Sequence, residues 1–252
     1  MDGSARVLLL TGAAGSVGRQ LVPGLAGYRL RLMDRQAPDD PGGAQVVVGE
    51  LTDRDVLARA VEGVDAVVHL AGDPRPDAEW DDLEGPNVDG FAALLGAARR
   101  AGVRRVVYAS SVHAMGRYES DGQLPIDPTW APAPCCPYGA TKAFDEAVAG
   151  VFAHRRGLST VGLRLGATVP EPTMASQLPG WLGPADLHRL VTRAVEADVP
   201  GGVYAGVSAN TRHRWDLGTA RADLGYEPVL DSEVYADRVE QDASDVTTCR
   251  RP

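Results

Sequence analysis

An apolar run from Arg6 to Leu10 opens directly into Thr11-Gly12-Ala13-Ala14-Gly15-Ser16-Val17-Gly18, and the helical pattern Gln20 to Leu25 follows. Strand, glycine-rich turn and helix in that order admit few folds. Gly12 permits the tight turn, Gly15 lets a pyrophosphate approach the backbone, and Gly18 allows the helix to pack close on the strand. The helix start then offers free N–H groups to phosphate. A glycine trio alone is a weak signal, but here it sits in the context the motif needs.

The alternation continues. A second strand, Tyr28 to Met33, ends at Asp34. This is about 20 residues beyond the glycines, where a carboxylate chelates ribose hydroxyls and repels a 2′-phosphate. NAD is therefore favoured over NADP, with Arg35 keeping the second cofactor open. A third strand, Gln45 to Val48, leads to Glu50-Leu51-Thr52-Asp53 and a helix over Leu57 to Val61. The fourth, Asp65 to Gly72, is apolar on both faces as buried parallel strands are. His69 on it reads as a core histidine, and Ala71 and Gly72 lie where a cofactor would pass the backbone. Asn87-Val88-Asp89-Gly90 opens a helix to about Arg100, with Phe91, Leu94, Leu95 and Ala98 at helical spacing.

Val103 to Ala109 is the fifth strand, with Ser110 and Ser111 just past its end. After a loop over Tyr118 to Pro134, a helix runs to about Arg156, and Ser159 to Leu165 is the sixth strand. The expectation is an α/β protein with a Rossmann-type doubly wound parallel sheet over residues 1–166. Residues 167–236 are Pro- and Gly-rich, with a helix over 185–197, a strand over Val203 to Ala205 and a helical turn around Trp215 to Leu224. They are expected to form a small substrate-binding cap interleaved with the first domain. Residues 237–252 read as a polar, frayed tail.

Of 25 Lys and Arg residues only Lys142 is a lysine. A chain that uses Arg everywhere else keeps a compact ammonium where a planar guanidinium will not serve. Tyr138 lies four residues earlier, one helical turn away on the same face. A fixed cation beside a phenol favours the phenolate and makes a proton donor and acceptor usable near neutral pH.

Hydrophobic content of 44%, charged content of 23% and a net charge of −9 fit a soluble globular protein. That charge argues against nucleic acid or an anionic membrane as partner. No apolar run approaches a membrane span, and the N-terminus lacks a signal-peptide layout. Cys135, Cys136 and Cys249 make no disulfide framework. With no His or Cys at ligand spacing they read as free thiols in a reducing cytoplasm, and no metal site is expected.

The glycine turn, Asp34, Leu70-Ala71-Gly72, Asn87-Val88-Asp89-Gly90, Ser110-Ser111 and Tyr138 to Lys142, in this order, resemble the extended short-chain dehydrogenase/reductase superfamily, also called the NAD-dependent epimerase/dehydratase superfamily. Within it the chain is most similar to uronate dehydrogenases. That likeness rests on Ser110-Ser111-Val112-His113, on Pro170-Glu171-Pro172 with Trp181, and on Ser208-Ala209-Asn210 with Trp215-Asp216. The resemblance implies that Tyr138 is the base, that Lys142 lowers its pKa and holds the nicotinamide ribose, and that Ser111 positions the reacting oxygen. It implies cofactor contacts from Gly12, Ala14, Gly15, Ser16, Val17, Gly18, Asp34, Arg35, Glu50, Leu51, Leu70, Ala71, Gly72 and Asn87.

Substrate contacts would come from Ser111, Val112, His113, Arg75, Ala167 and Ser176. Here the chain departs from the family pattern. Val112 replaces an Asn, Pro74 and Ala167 replace serines, and Ser176 stands where an arginine holds the substrate carboxylate. Arg75 and Arg117 are the candidate replacement cations. Hydride transfer from a sugar or sugar-acid-like hydroxyl is the expected activity, in a cytoplasmic homo-oligomer, with a dimer through the long helices. The alternatives are a nucleotide-sugar epimerase or dehydratase that retains its NAD, and a dinucleotide-sensing protein without chemistry.

Overall fold

The computed structural model describes residues 5–241 and 247–249. Its strands are β1 (Val7–Thr11), β2 (Arg29–Asp34), β3 (Gln45–Val48), β4 (Ala66–His69), β5 (Arg105–Ser111), β6 (Ser159–Leu165) and β7 (Gly201–Gly206). They form a seven-stranded sheet in the order β3-β2-β1-β4-β5-β6-β7, and every pairing is parallel. The chain winds outward from β1 in one direction and then from β4 in the other. Between these two strands the connections diverge, and a crevice opens at the carboxyl ends.

The helices are α1 (Ser16–Leu21), α2 (Arg54–Val61), α3 (Trp80–Leu83), α4 (Gly90–Arg100), α5 (Gly116–Ser120), α6 (Pro137–Arg156), α7 (Pro184–Glu196) and α8 (Gly218–Leu224). α6 begins with Pro137 in its first turn and stops at Gly157, whose φ of 66° is left-handed. Asp53 caps α2 by accepting from the N–H groups of Asp55 and Val56.

The sheet carries an apolar layer on each face. Leu8 and Leu10 join one core with Val68, Leu187 and Leu190, while Leu9 joins the other with Val67, Val106, Phe91 and Leu94. The alternation is the period-two side-chain pattern of a strand buried on both sides.

The strand and helix anticipated within residues 167–236 extend the main sheet. β7 pairs with β6 from Thr160–Gly201 to Leu165–Gly206, and α7 shares its core with β1. The tail is tied down where it is described. The Glu240 carbonyl accepts from Ala175 N at 2.9 Å and its N–H donates to the Thr173 carbonyl at 2.9 Å. Thr247 and Thr248 dock on the buried Glu119, so the expected fraying does not hold for these residues. The rest of the tail lies outside the described residues.

The short helix α5 reaches into the segment expected as a loop from Tyr118, and a second short helix, α3, lies between β4 and α4. β5 also runs through both serines rather than ending before them.

A buried ionic lock fixes α6 to the sheet. Arg164 on β6 donates from Nε and Nη2 to the two carboxylate oxygens of Glu146, each at 2.8 Å, and from Nη1 to the Pro128 carbonyl at 2.9 Å. Ser110 Oγ donates to Glu146 Oε1 at 2.6 Å. Every polar atom of this pair that meets low dielectric has a partner, the condition under which a buried charge pair is tolerated.

Candidate active site

A cavity of about 1370 Å³ occupies the crevice. The glycine turn forms its floor. Gly12 has φ 73°, and a Cβ there would meet Ala71 N at 2.6 Å, so only glycine lets the turn lie against the end of β4. A Cβ at Gly18 would collide with the Gly12 carbonyl, which is the close helix–strand approach the sequence predicts.

At one end of the cavity lie Asp34, Arg35, Glu50 and Leu51. Asp34 Oδ2 accepts from Ala14 N at 2.9 Å, and Oδ1 accepts from Arg35 N at 2.7 Å. The carboxylate is thereby fixed against the glycine turn at the tip of β2. At the other end lie Ser111, Val112, His113, Tyr138, Lys142, Ala167 and Ser176, with Leu70, Ala71 and Gly72 between. Ala14, Gly15, Ser16 and Val17 complete the floor.

Tyr138 occupies the first turn of α6 and is half-buried. Lys142 Nζ lies 5.8 Å from its ring centroid and donates to Asp145 Oδ2 at 3.3 Å. Burial would push the Lys142 amine toward neutrality. The charges of Asp145 and Tyr138, the Asp145 hydrogen bond and Glu146 outweigh it, and its pKa rises above the ordinary lysine value. Burial raises the carboxyl of Asp145 to about 7 despite the ammonium beside it. Its second oxygen, Oδ1, has no hydrogen-bond partner among the described residues.

Ser111 Oγ accepts from His113 N at 3.2 Å, which fixes the hydroxyl at the end of β5. His69 is a core histidine, as the sequence suggests. It shares a 2.7 Å hydrogen bond with Thr11 Oγ1 and stacks on Phe91 at 5.3 Å. Burial and then the Lys142 charge lower its pKa to about 3, so it stays neutral.

Asn87 differs from expectation. It does not line the cavity; it sits behind the wall in a wide π turn, Glu84–Asp89. Its Oδ1 accepts from Asp73 N at 2.7 Å and its Nδ2 donates to Asp73 O at 3.0 Å and Thr141 Oγ1 at 3.2 Å. It couples the loop after β4 to α6.

Arg75 lines the rim but is engaged by Asp73 at 2.5 Å and Asp82 at 3.2 Å. Arg117 is exposed and outside the lining. Neither offers a dedicated clamp for a carboxylate. Arg19, Thr168, Gln177 and Thr247 line the cavity without having been anticipated. Thr247 comes from the tail and donates from Oγ1 to the Ser176 carbonyl at 2.9 Å.

The family model described as the NAD dependent epimerase/dehydratase family matches residues 8–191. A uronate dehydrogenase of Pseudomonas syringae pv. tomato is 38% identical over 238 residues, covering 92% of this chain and 85% of that protein. An NAD-dependent glucose-6-phosphate dehydrogenase of Haloferax volcanii is 34% identical over 241 residues, covering 88% and 92%. Among solved structures, the uronate dehydrogenase of Agrobacterium tumefaciens, as a tyrosine-to-alanine mutant complexed with NAD, superposes with a TM-score of 0.84 at 31% identity, covering 93% and 88%. With this match over most of its length and the glycine turn, sheet order and crevice described above, the chain belongs to the NAD-dependent epimerase/dehydratase family.

Proposed function

We propose that the protein is an NAD-dependent dehydrogenase acting on the anomeric hydroxyl of a sugar or sugar acid. One observation carries this reading. The cavity joins the glycine turn and Asp34 at one end to Ser111, Tyr138 and Lys142 at the other.

The residues fit the cofactor. The turn is free of side chains where a pyrophosphate would lie, and Asp34 is held by two backbone N–H groups at the position suited to ribose hydroxyls. Bound NAD supplies the acceptor for the hydride that leaves the substrate carbon. Tyr138 Oη takes the proton of the substrate hydroxyl. Lys142 provides the positive charge that such a base requires beside it, and Glu146, with Asp145 once it ionises above about pH 7, keeps that ammonium charged in its buried position. The Ser111 hydroxyl donates to the reacting oxygen and fixes its distance from Tyr138.

The family's arginine is Ser176 here, and the same wall carries Thr168, Gln177 and Thr247. Hydroxyls and amides in place of a guanidinium suit a substrate read through its own hydroxyls, and they remove the bidentate hold on a carboxylate. Neutral aldoses are therefore the preferred class over uronates.

NADH formation measured across aldoses, uronates and glucose 6-phosphate tests both points. Turnover confined to neutral sugars is the expected result. A chain that binds NAD but turns over none of these sugars overturns the activity.

We also read the outer face of α6 as a homodimer surface. Phe144 and Val151 on this helix are 38% and 53% exposed, an apolar stripe that a second copy would cover. Sedimentation of a Phe144→Glu variant as monomer, against a dimeric parent, is the expected outcome. Among the described residues no helix is long and apolar enough to cross a membrane.

A further inference from the structure

All three cysteines of the chain converge on one histidine. His113 Nδ1 lies 3.5 Å from Cys135 Sγ, 3.5 Å from Cys136 Sγ and 3.4 Å from Cys249 Sγ. The four donor atoms all lie within 4.8 Å of one another. With Zn–S near ~2.3 Å and Zn–N near ~2.0 Å, the nitrogen-to-sulfur edges of a zinc tetrahedron are about 3.5 Å. The nitrogen thus caps the three sulfurs at the edge length that a tetrahedral ion imposes. We propose that His113, Cys135, Cys136 and Cys249 form a structural Zn²⁺ site.

The ligand set selects the metal. Three thiolates and one imidazole suit zinc, and a full set of four protein ligands leaves no open position for a substrate or water, so the site is structural rather than catalytic. The sequence conceals it because two of the ligands arrive from far away, with His113 22 residues before Cys135 and Cys249 136 residues after His113. Only the adjacent pair is visible by spacing.

The surroundings are built for the cluster. Cys136 is the N-cap of α6, and its sulfur accepts from Gly139 N at 3.4 Å; an N–H at a helix start favours a thiolate. A Cβ at Gly116 would collide with Cys135 Sγ, so that wall is left without a side chain. Cys249 is delivered by contacts that do not involve sulfur. Thr248 Oγ1 and N donate to Glu119 Oε2 at 2.6 and 2.9 Å, Thr247 N donates to Oε1 at 3.0 Å, and Ser120 Oγ donates to the Cys249 carbonyl at 3.1 Å.

The four donor atoms crowd within 4.8 Å of one another. Three thiolates cannot share so small a volume without a counter-cation. On binding, the ion replaces the thiol protons and the ring proton on Nδ1, which leave to solvent.

The consequence for the cavity is mechanical. The ion would join the exit of β5, the start of α6 two residues before Tyr138, and the tail that brings Thr247 to the cavity wall. The His113 ring already meets Tyr138 edge-on at 5.7 Å.

The test is metal content and ligand-field spectroscopy on the full chain. Reduced protein dialysed against one equivalent of Zn²⁺ should retain about one zinc per chain through gel filtration. Replacement by Co²⁺ should give thiolate-to-cobalt charge transfer and the intense visible bands of a tetrahedral ion, with no variant needed. Cys249→Ser, whose tail keeps its Glu119 contacts, should lower zinc retention at least tenfold against a fixed competing chelator while its circular dichroism is unchanged. Absence of retained zinc with no cobalt spectrum overturns the site. So does zinc binding equal in the parent, Cys249→Ser and His113→Ala, or a protein isolated metal-free with its cysteines in a disulfide.

Discussion

Glu146 and Arg164 meet through two parallel hydrogen bonds of 2.8 Å, with side chains only 5% and 4% exposed. Glu146→Gln would leave a buried guanidinium with a neutral partner. Losing one member of a buried pair costs roughly 3–5 kcal/mol, and urea unfolding should show it. The double variant Glu146→Leu, Arg164→Met, which removes both charges, should cost less than either single change. Because α6 carries both Tyr138 and Lys142, Glu146→Gln should also lower turnover.

Asp145 makes stability depend on pH. Its carboxyl, facing Lys142, Glu146 and Tyr108, keeps its proton up to about 7 in the folded chain, against 3.8 for the free side chain. Between those values the folded state binds more protons than the unfolded state, so this group's contribution to stability falls as pH rises. Asp145→Asn should flatten that decline between about pH 4 and pH 7, as read from denaturant midpoints at matched ionic strength. An unchanged slope would show that burial does not hold the proton.

Tyr138→Phe removes the proposed base and leaves the ring in place. The rate constant for NADH formation should fall about 10²–10⁴-fold, the usual worth of a positioned acid–base group. NAD affinity, followed by fluorescence, should change by less than the turnover does.

Asp34→Asn keeps an oxygen able to accept from Ala14 N and removes the charge that would repel a 2′-phosphate. Arg35 and Arg19 line the same end of the cavity. The ratio of kcat/KM for NAD to that for NADP should drop at least tenfold, about 1.4 kcal/mol. A ratio that stays fixed would place cofactor choice elsewhere.

Much of this was readable in the chain itself, because the informative features are local. Gly12 to Gly18 and Tyr138 to Lys142 each lie within eight residues, so their spacing fixes their geometry before any tertiary contact forms. The strands were legible for the same reason, as apolar runs separated by helical periods. What spacing does not encode is the meeting of distant segments. Thr247 reaches the cavity because it and Thr248 bond to Glu119, 128 and 129 residues away in sequence. Asn87 was expected at the cofactor, yet a π turn swings it inward to Asp73 and Thr141. Arg75 has the right charge in the right loop, but Asp73 and Asp82, close in sequence, neutralise it.

The burial of the only lysine, 6% exposed, has a practical corollary. Amine-directed reagents will find no side-chain target on the folded protein and will label any N-terminal amine alone. Acylation of Lys142 therefore becomes a clock for transient opening of the helix that carries Tyr138, readable by mass spectrometry against a background with no other lysine to confuse it.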